Sequence, residues 1–166
     1  PLAVLTNRFS ASAAEIFAGA IKDYQRGIIL GDSKTHGKGT VQTLIELDRY
    51  TAFLGPKIPS GSIKLTNAKF YRINGASTQR KGVGADIVIP STLDGLDIGE
   101  DKLPGSLPWT QIEQALYIPV ADVVKFVPQL KERSAKRLAD NARYVRYCTL
   151  VRHVQEVNEK KEVPLE

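Results

Sequence analysis

Apolar and polar positions follow two different periods along this chain, and the places where the period changes mark its elements. Leu2-Ala3-Val4-Leu5-Thr6 is a short apolar run that predicts a buried strand, broken by Asn7-Arg8-Phe9-Ser10. Ala13, Ile16, Phe17, Ala20, Ile21 and Tyr24 then recur at the spacing of one helix face. Gly27-Ile28-Ile29-Leu30-Gly31 predicts a second buried strand with glycine at each end. A polar loop, Asp32 to Gly39, leads into Thr40-Val41-Gln42-Thr43-Leu44-Ile45-Glu46-Leu47, where the alternation of a strand with one wet face begins. Strand, helix and strand in this order form a βαβ-type unit, so the expected fold class is α/β.

Asp48 to Gly61 carries two prolines and two glycines and predicts a surface connection. Ser62 to Ile73 predicts two strands, or one bent strand, ending at a turn at Asn74-Gly75. Ile87-Val88-Ile89-Pro90 is a further short strand stopped by proline, and Ser91 to Leu107 an irregular excursion. After Pro108-Trp109 the pattern turns helical. Thr110 to Tyr117 predicts a short helix capped by Thr110 with Glu113 as reciprocal partner, and Asp122 to Val127 another, ended by Pro128. Leu130, Ser134, Leu138, Ala142, Val145 and Thr149 predict one long amphipathic helix reaching about His153 or beyond, followed by a frayed, charged tail from Asn158 to Glu166.

The composition narrows the function classes. At 166 residues and 42% hydrophobic content the chain can build one ordinary core, with a helical region beyond it. No apolar stretch approaches the roughly 20 residues that span a bilayer. The chain opens on Pro1 and contains no Met, which predicts a piece of something longer whose targeting signals lie outside it. A net charge of +5 raises the question of an acidic partner such as nucleic acid. Basic residues are interleaved with acidic ones, as in Lys131-Glu132-Arg133, so solvated surface is the expectation and a nucleic-acid partner is not. A single cysteine, Cys148, allows neither an internal disulfide nor a cysteine-based zinc site, and His36 and His153 are far apart in sequence. No metal and no cofactor are expected.

Two residues carry the candidate chemistry. Ser12 falls where a strand-turn-helix connection delivers a side chain at a helix N-terminus, whose free N–H groups and dipole favour developing negative charge. The N–H of Ala13 can form one arm of an oxyanion hole there. A plainer role stands beside this one, because Ser12-Ala13-Ala14-Glu15 is also a capping box. Lys38, in Thr35-His36-Gly37-Lys38-Gly39-Thr40, is held by glycines just after a buried strand. A lysine desolvated in such a turn loses its proton more easily and can serve as a base. It can equally be a surface lysine. A P-loop does not fit, since the glycine spacing is one residue too long and Gly39 stands where Ser or Thr would bind magnesium. His36 reads as a plain loop residue.

The segment from Asn7 to Ala20 resembles the nucleophile segment of the tail-specific, or carboxy-terminal processing, peptidases, and Gly37-Lys38-Gly39-Thr40-Val41-Gln42 resembles their lysine segment. Lys69 to Val83, Ala85-Asp86-Ile87-Val88-Ile89-Pro90 and Leu107-Pro108-Trp109 resemble the same family. The resemblance implies a serine endopeptidase with a Ser12–Lys38 dyad, Gln42 positioning Lys38, and Asp23 at a functionally sensitive place. It implies a partial crotonase-like or ClpP-like α/β core over 1–109, with a helical C-terminal region over 110–166. It also implies protein or peptide substrates engaged through their C-termini, and a periplasmic or exported location in a bacterium. A PDZ module, upstream strands and a second oxyanion donor would lie outside this chain, which alone is expected to be inactive. The family's loop before the lysine is commonly one residue shorter. A non-catalytic binding or scaffold module, with Ser12 acting only as a cap, remains the alternative.

Overall fold

The computed structural model describes residues 2–51, 53, 55 and 59–160. Strand β1 (Ala3–Thr6), helix α1 (Ala13–Asp23) and strand β2 (Ile28–Gly31) form the expected strand–helix–strand unit. Strands β3 (Thr40–Glu46) and β4 (Ser62–Lys69) pair as an antiparallel ribbon, with the one-turn helix α2 (Asp48–Thr51) between them. Strand β5 (Ile87–Val88) then joins β2, giving a parallel sheet in the order β1-β2-β5, with Val4 opposite Ile29 and Leu30 opposite Ile87. Helices α3 (Val127–Ala139) and α4 (Ala142–Lys160) complete the chain. The result is a mixed α/β unit with a helical C-terminal part.

Helix α1 lies where the apolar spacing predicts it, but it turns a different face inward. Its buried residues are Glu15, Ala18 and Gly19, whereas Ile16 and Phe17 are half exposed. Small residues let the helix approach β2 closely, and Ala18 meets Ile29 and Val83 in the core, with Val4, Ile21 and Ala85 packed around them. A fully buried carboxylate thus sits on the stripe that touches the sheet.

Four expectations are corrected. Thr110 to Tyr117 is extended rather than helical, because its backbone is used by the turn opposite: Ser77 N–H donates to Thr110 O (3.1 Å), Ile112 N–H to Gly75 O (2.9 Å) and Ala115 N–H to Ile73 O (3.1 Å). The Thr110 hydroxyl bonds Tyr71 and Lys69 instead of capping a helix. Asp122 to Val127 contains only a 3-10 turn, Val124–Phe126, and Pro128 opens α3 rather than ending a helix. Its missing N–H costs nothing in a first helical turn. The long C-terminal helix is two helices, broken at Asp140-Asn141, where the Asn141 side chain accepts the Tyr144 N–H (3.0 Å) and caps α4. Finally, β4 ends at Lys69, and the chain reaches the Asn74-Gly75 turn through a single bridge from Tyr71 to Ser77. Part of the 48–61 connection and the tail beyond residue 160 lie outside the described residues.

Candidate active site

Ser12 has a backbone unlike that of an ordinary helix cap. Cap residues take up extended φ/ψ, whereas Ser12 has φ 58° and ψ −116°, a left-handed conformation that a non-glycine residue adopts only when its surroundings impose it. The sharp turn between Asn7 and α1 imposes it here, with the Ser10 N–H bonding Asn7 O (3.0 Å). Glu15 and Ser12 face each other as in a capping box, and the Glu15 carboxylate accepts the Ser12 N–H (2.9 Å). The Ser12 side chain faces the Glu15 N–H without completing a capping hydrogen bond, and that N–H bonds the Ser12 carbonyl (2.8 Å). The Ala13 N–H, next in line, has no acceptor among the described residues.

Glu15 does more than close that box. Its Oε2 also accepts the Lys38 N–H (2.8 Å), while Oε1 accepts the Gly37 N–H (2.7 Å) and the Thr35 hydroxyl. One buried carboxylate oxygen thereby bonds the backbones of both Ser12 and Lys38, holding them within two hydrogen-bond lengths of each other. Four donors saturate the carboxylate, which is the condition for burying its charge. The turn itself depends on glycine. Gly37 has φ 94°, and a Cβ on Gly39 would lie 2.6 Å from the Gln79 nitrogen. Gln79, fully buried, accepts the Gly39 N–H through Oε1 (2.8 Å).

Gln42 and Lys38 come together: Lys38 Nζ donates to Gln42 Oε1 at 3.2 Å, in a solvent-exposed position. A register shift between Val41 and Gln42 interrupts the β3–β4 ladder beside this contact. Asp23 lies elsewhere. It ends α1, roughly 16 Å of helix rise from Ser12, and its almost buried carboxylate takes two hydrogen bonds from Arg72 and one from Asn74 (3.1 Å). It anchors the 72–75 turn to the helix, with the Arg72 side chain lying against Gly19.

Among the described residues His36 forms no hydrogen bond with Ser12. Its Nδ1 is buried without a hydrogen bond, 3.9 Å from Glu100. Nearby, Lys34 pairs with Asp101 (3.1 Å). Burial works against ionising Asp101, but the hydrogen bond and charge of Lys34, with Arg8 behind it, hold its carboxyl below the usual value. Glu15, Thr35 and Gln79 were not identified as site residues by sequence reasoning. The signal for Glu15 was its spacing of three and four from Ala18 and Gly19, a charged residue in register with small helix-packing positions.

The sequence around this site matches a known family. The chain belongs to peptidase family S41, whose profile matches residues 1–89. A second profile, the C-terminal domain of tail specific protease, matches residues 93–166 and places the chain with the tail-specific members. The chain is 40% identical over 161 residues to the tail-specific protease of Haemophilus influenzae, covering 97% of this chain and 23% of that protein. It is 39% identical over 113 residues to the carboxy-terminal-processing protease of Bartonella bacilliformis, covering 64% of this chain and 24% of that protein. Among solved structures it is similar to a photosystem II D1 C-terminal processing protease, at 36% identity and a TM-score of 0.44 over 53% of this chain and 20% of that one. The chain spans about a quarter of the length of these curated relatives.

Proposed function

We propose that this chain carries the nucleophile and general base of a serine endopeptidase, with Ser12 attacking and Lys38 taking its proton. The observation that carries this reading is the single Glu15 oxygen bonded by the N–H groups of both residues. In the reaction, the Lys38 amine accepts the Ser12 hydroxyl proton as Oγ adds to a peptide carbonyl carbon. The oxyanion draws on the Ala13 N–H and the N-terminal end of α1. Collapse expels the amine, which takes the proton from Lys38, and water then hydrolyses the acyl-Ser12 ester with Lys38 again as base. Gln42 holds the Lys38 amine through its carbonyl oxygen. The left-handed Ser12 backbone, unlike that of an ordinary cap, counts against the cap-only alternative.

The relatives are named for tail-specific and carboxy-terminal processing activity. By extension, the substrates are proteins engaged through their C-termini, in the periplasm or otherwise exported. A PDZ module and the second oxyanion donor would be supplied by the remainder of the protein. Residues 1–109 would then serve catalysis and 110–166 form the helical region. The described residues include no helix long and apolar enough to cross a membrane. The test is cleavage of an unstructured protein by the whole enzyme. Ser12→Ala and Lys38→Ala should each lower kcat by on the order of 10⁴-fold or more with the fold intact. Near-normal proteolysis by either folded variant overturns the dyad.

A further inference from the structure

The Lys38 turn is held from two sides, and only one of them lies in the stretch matched by the S41 profile. On the inner side stands Glu15. On the outer side stands Glu100, in the 3-10 turn Glu100–Lys102, within the stretch matched by the C-terminal domain profile. Glu100 reaches the turn at both ends. Its N–H donates to His36 O (2.9 Å), two residues before Lys38. Its carboxylate Oε1 accepts from Gln79 Nε2 (3.1 Å), and Gln79 Oε1 accepts the N–H of Gly39, the residue after Lys38 (2.8 Å). The Glu100 side chain is only 12% exposed. Residues close to Glu100 in the chain extend the attachment: the Arg8 guanidinium, four residues before Ser12, donates to Ile98 O, and Asp101 pairs with Lys34.

We propose that Glu100 is a positioning residue for the Lys38 base, acting through Gln79. The inference rests on the dyad reading above. Its chemistry lies in the asymmetry of an amide. A buried glutamine side chain can be turned over, and in the wrong sense its NH2 would face the Gly39 N–H, donor against donor. A carboxylate accepts only, so Glu100 fixes the NH2 of Gln79 on its own side and the carbonyl oxygen on the side of Gly39. A residue beyond the stretch matched by the S41 profile thereby sets the orientation of the group that pins the turn on which Lys38 stands. Misplacement of a base by a fraction of an ångström lowers turnover without changing how substrate binds elsewhere.

The test uses the whole enzyme and steady-state cleavage of an unstructured protein substrate. Glu100→Ala should lower kcat by roughly 10- to 100-fold with KM within about twofold. Glu100→Gln can still present a carbonyl oxygen to Gln79 Nε2, and should recover most of that loss. Gln79→Ala combined with Glu100→Ala should lose no more than the worse single variant, as expected of two residues acting as one unit. If Glu100→Ala does not fold, Glu100→Asp takes its place, since it keeps the backbone bond and the charge but withdraws the carboxylate by one methylene; the same fall in kcat is expected. Wild-type kcat in a folded Ala or Asp variant, or additive losses in the double variant, overturns the proposal. Ser12→Ala in the same assay separates the two levels. Its inactivity beside a normal Glu100→Ala refutes the positioning role alone, whereas its activity refutes the dyad and this inference together.

Discussion

At the scale of single residues, Glu15 decides more than any other side chain. It is a carboxylate with no solvent contact, and four donors from three sequence positions in the Lys38 loop and one at Ser12 converge on it. Glutamine has nearly the same shape but only one accepting atom. In Glu15→Gln the NH2 group would face two of those donors, leaving them buried and unpaired at about 1–3 kcal/mol each. The expected loss is therefore roughly 2–6 kcal/mol of stability, read by denaturant unfolding of the whole protein, with a fall in kcat because both ends of the site loosen together. A loss below about 1 kcal/mol would show that the carboxylate is not the shared anchor. The sequence shows Ser12-Ala13-Ala14-Glu15 as a capping box, and that half is present in the Glu15-to-Ser12 N–H bond. What the box could not reveal is the contact of Glu15 with Thr35, Gly37 and Lys38, because the spacing of a helix says nothing about which loop will lie over it.

At the scale of elements, local pattern succeeded where an element meets the core through its own periodicity and failed where distant backbone competes for its hydrogen bonds. The β1–α1–β2 unit was legible because apolar runs of four or five residues and a helical stripe leave few alternatives. Residues 110–117 carry a plausible capping pattern, yet the 73–77 turn takes their backbone bonds and keeps them extended. The C-terminal helix illustrates a signal that was present and outweighed. Continuous three- and four-residue spacing runs through Asp140-Asn141, but asparagine is a strong cap and the chain uses it to start α4 anew. Between α3, α4 and the end of the sheet lies an open groove of about 640 Å³, lined by residues that include Ile87, Leu138 and Val145. Asn141→Ala should lower stability by about 1 kcal/mol in thermal unfolding, the usual worth of an N-cap. It should leave kcat unchanged, since α4 contributes no side chain to the Ser12–Lys38 region. A change in kcat above twofold would tie the helical hairpin to catalysis.

At the scale of the whole molecule, the distribution of apolar surface bears on what the chain can do by itself. Leu5 is 76% exposed and Phe9 64%, and Ile16 and Phe17 stand half exposed on the same stretch that carries Ser12. Among the described residues the β1-β2-β5 sheet has three strands, and β1 is an edge. Unpaired strand edges and large exposed apolar side chains are normally covered in a folded protein. The Lys38–Gln42 contact is also open to solvent, and water weakens the electrostatic help that a dry site would give a base and an oxyanion. Under the proposed mechanism the Ala13 N–H, unpaired among the described residues, would be one oxyanion donor beside Ser12. These features lead to a concrete expectation for the isolated 166-residue chain. It should bind an apolar dye and cleave an unstructured protein at less than roughly one-thousandth of the rate of the whole enzyme, the order of loss that follows from removing an oxyanion donor. Both measurements are needed, because dye binding reports exposed apolar surface and the rate reports what the chain can do by itself. A chain that cleaved at the full rate would mean that Ser12, Lys38 and the residues around them already constitute the complete machinery, with nothing further required to shield the amine or bind the oxyanion.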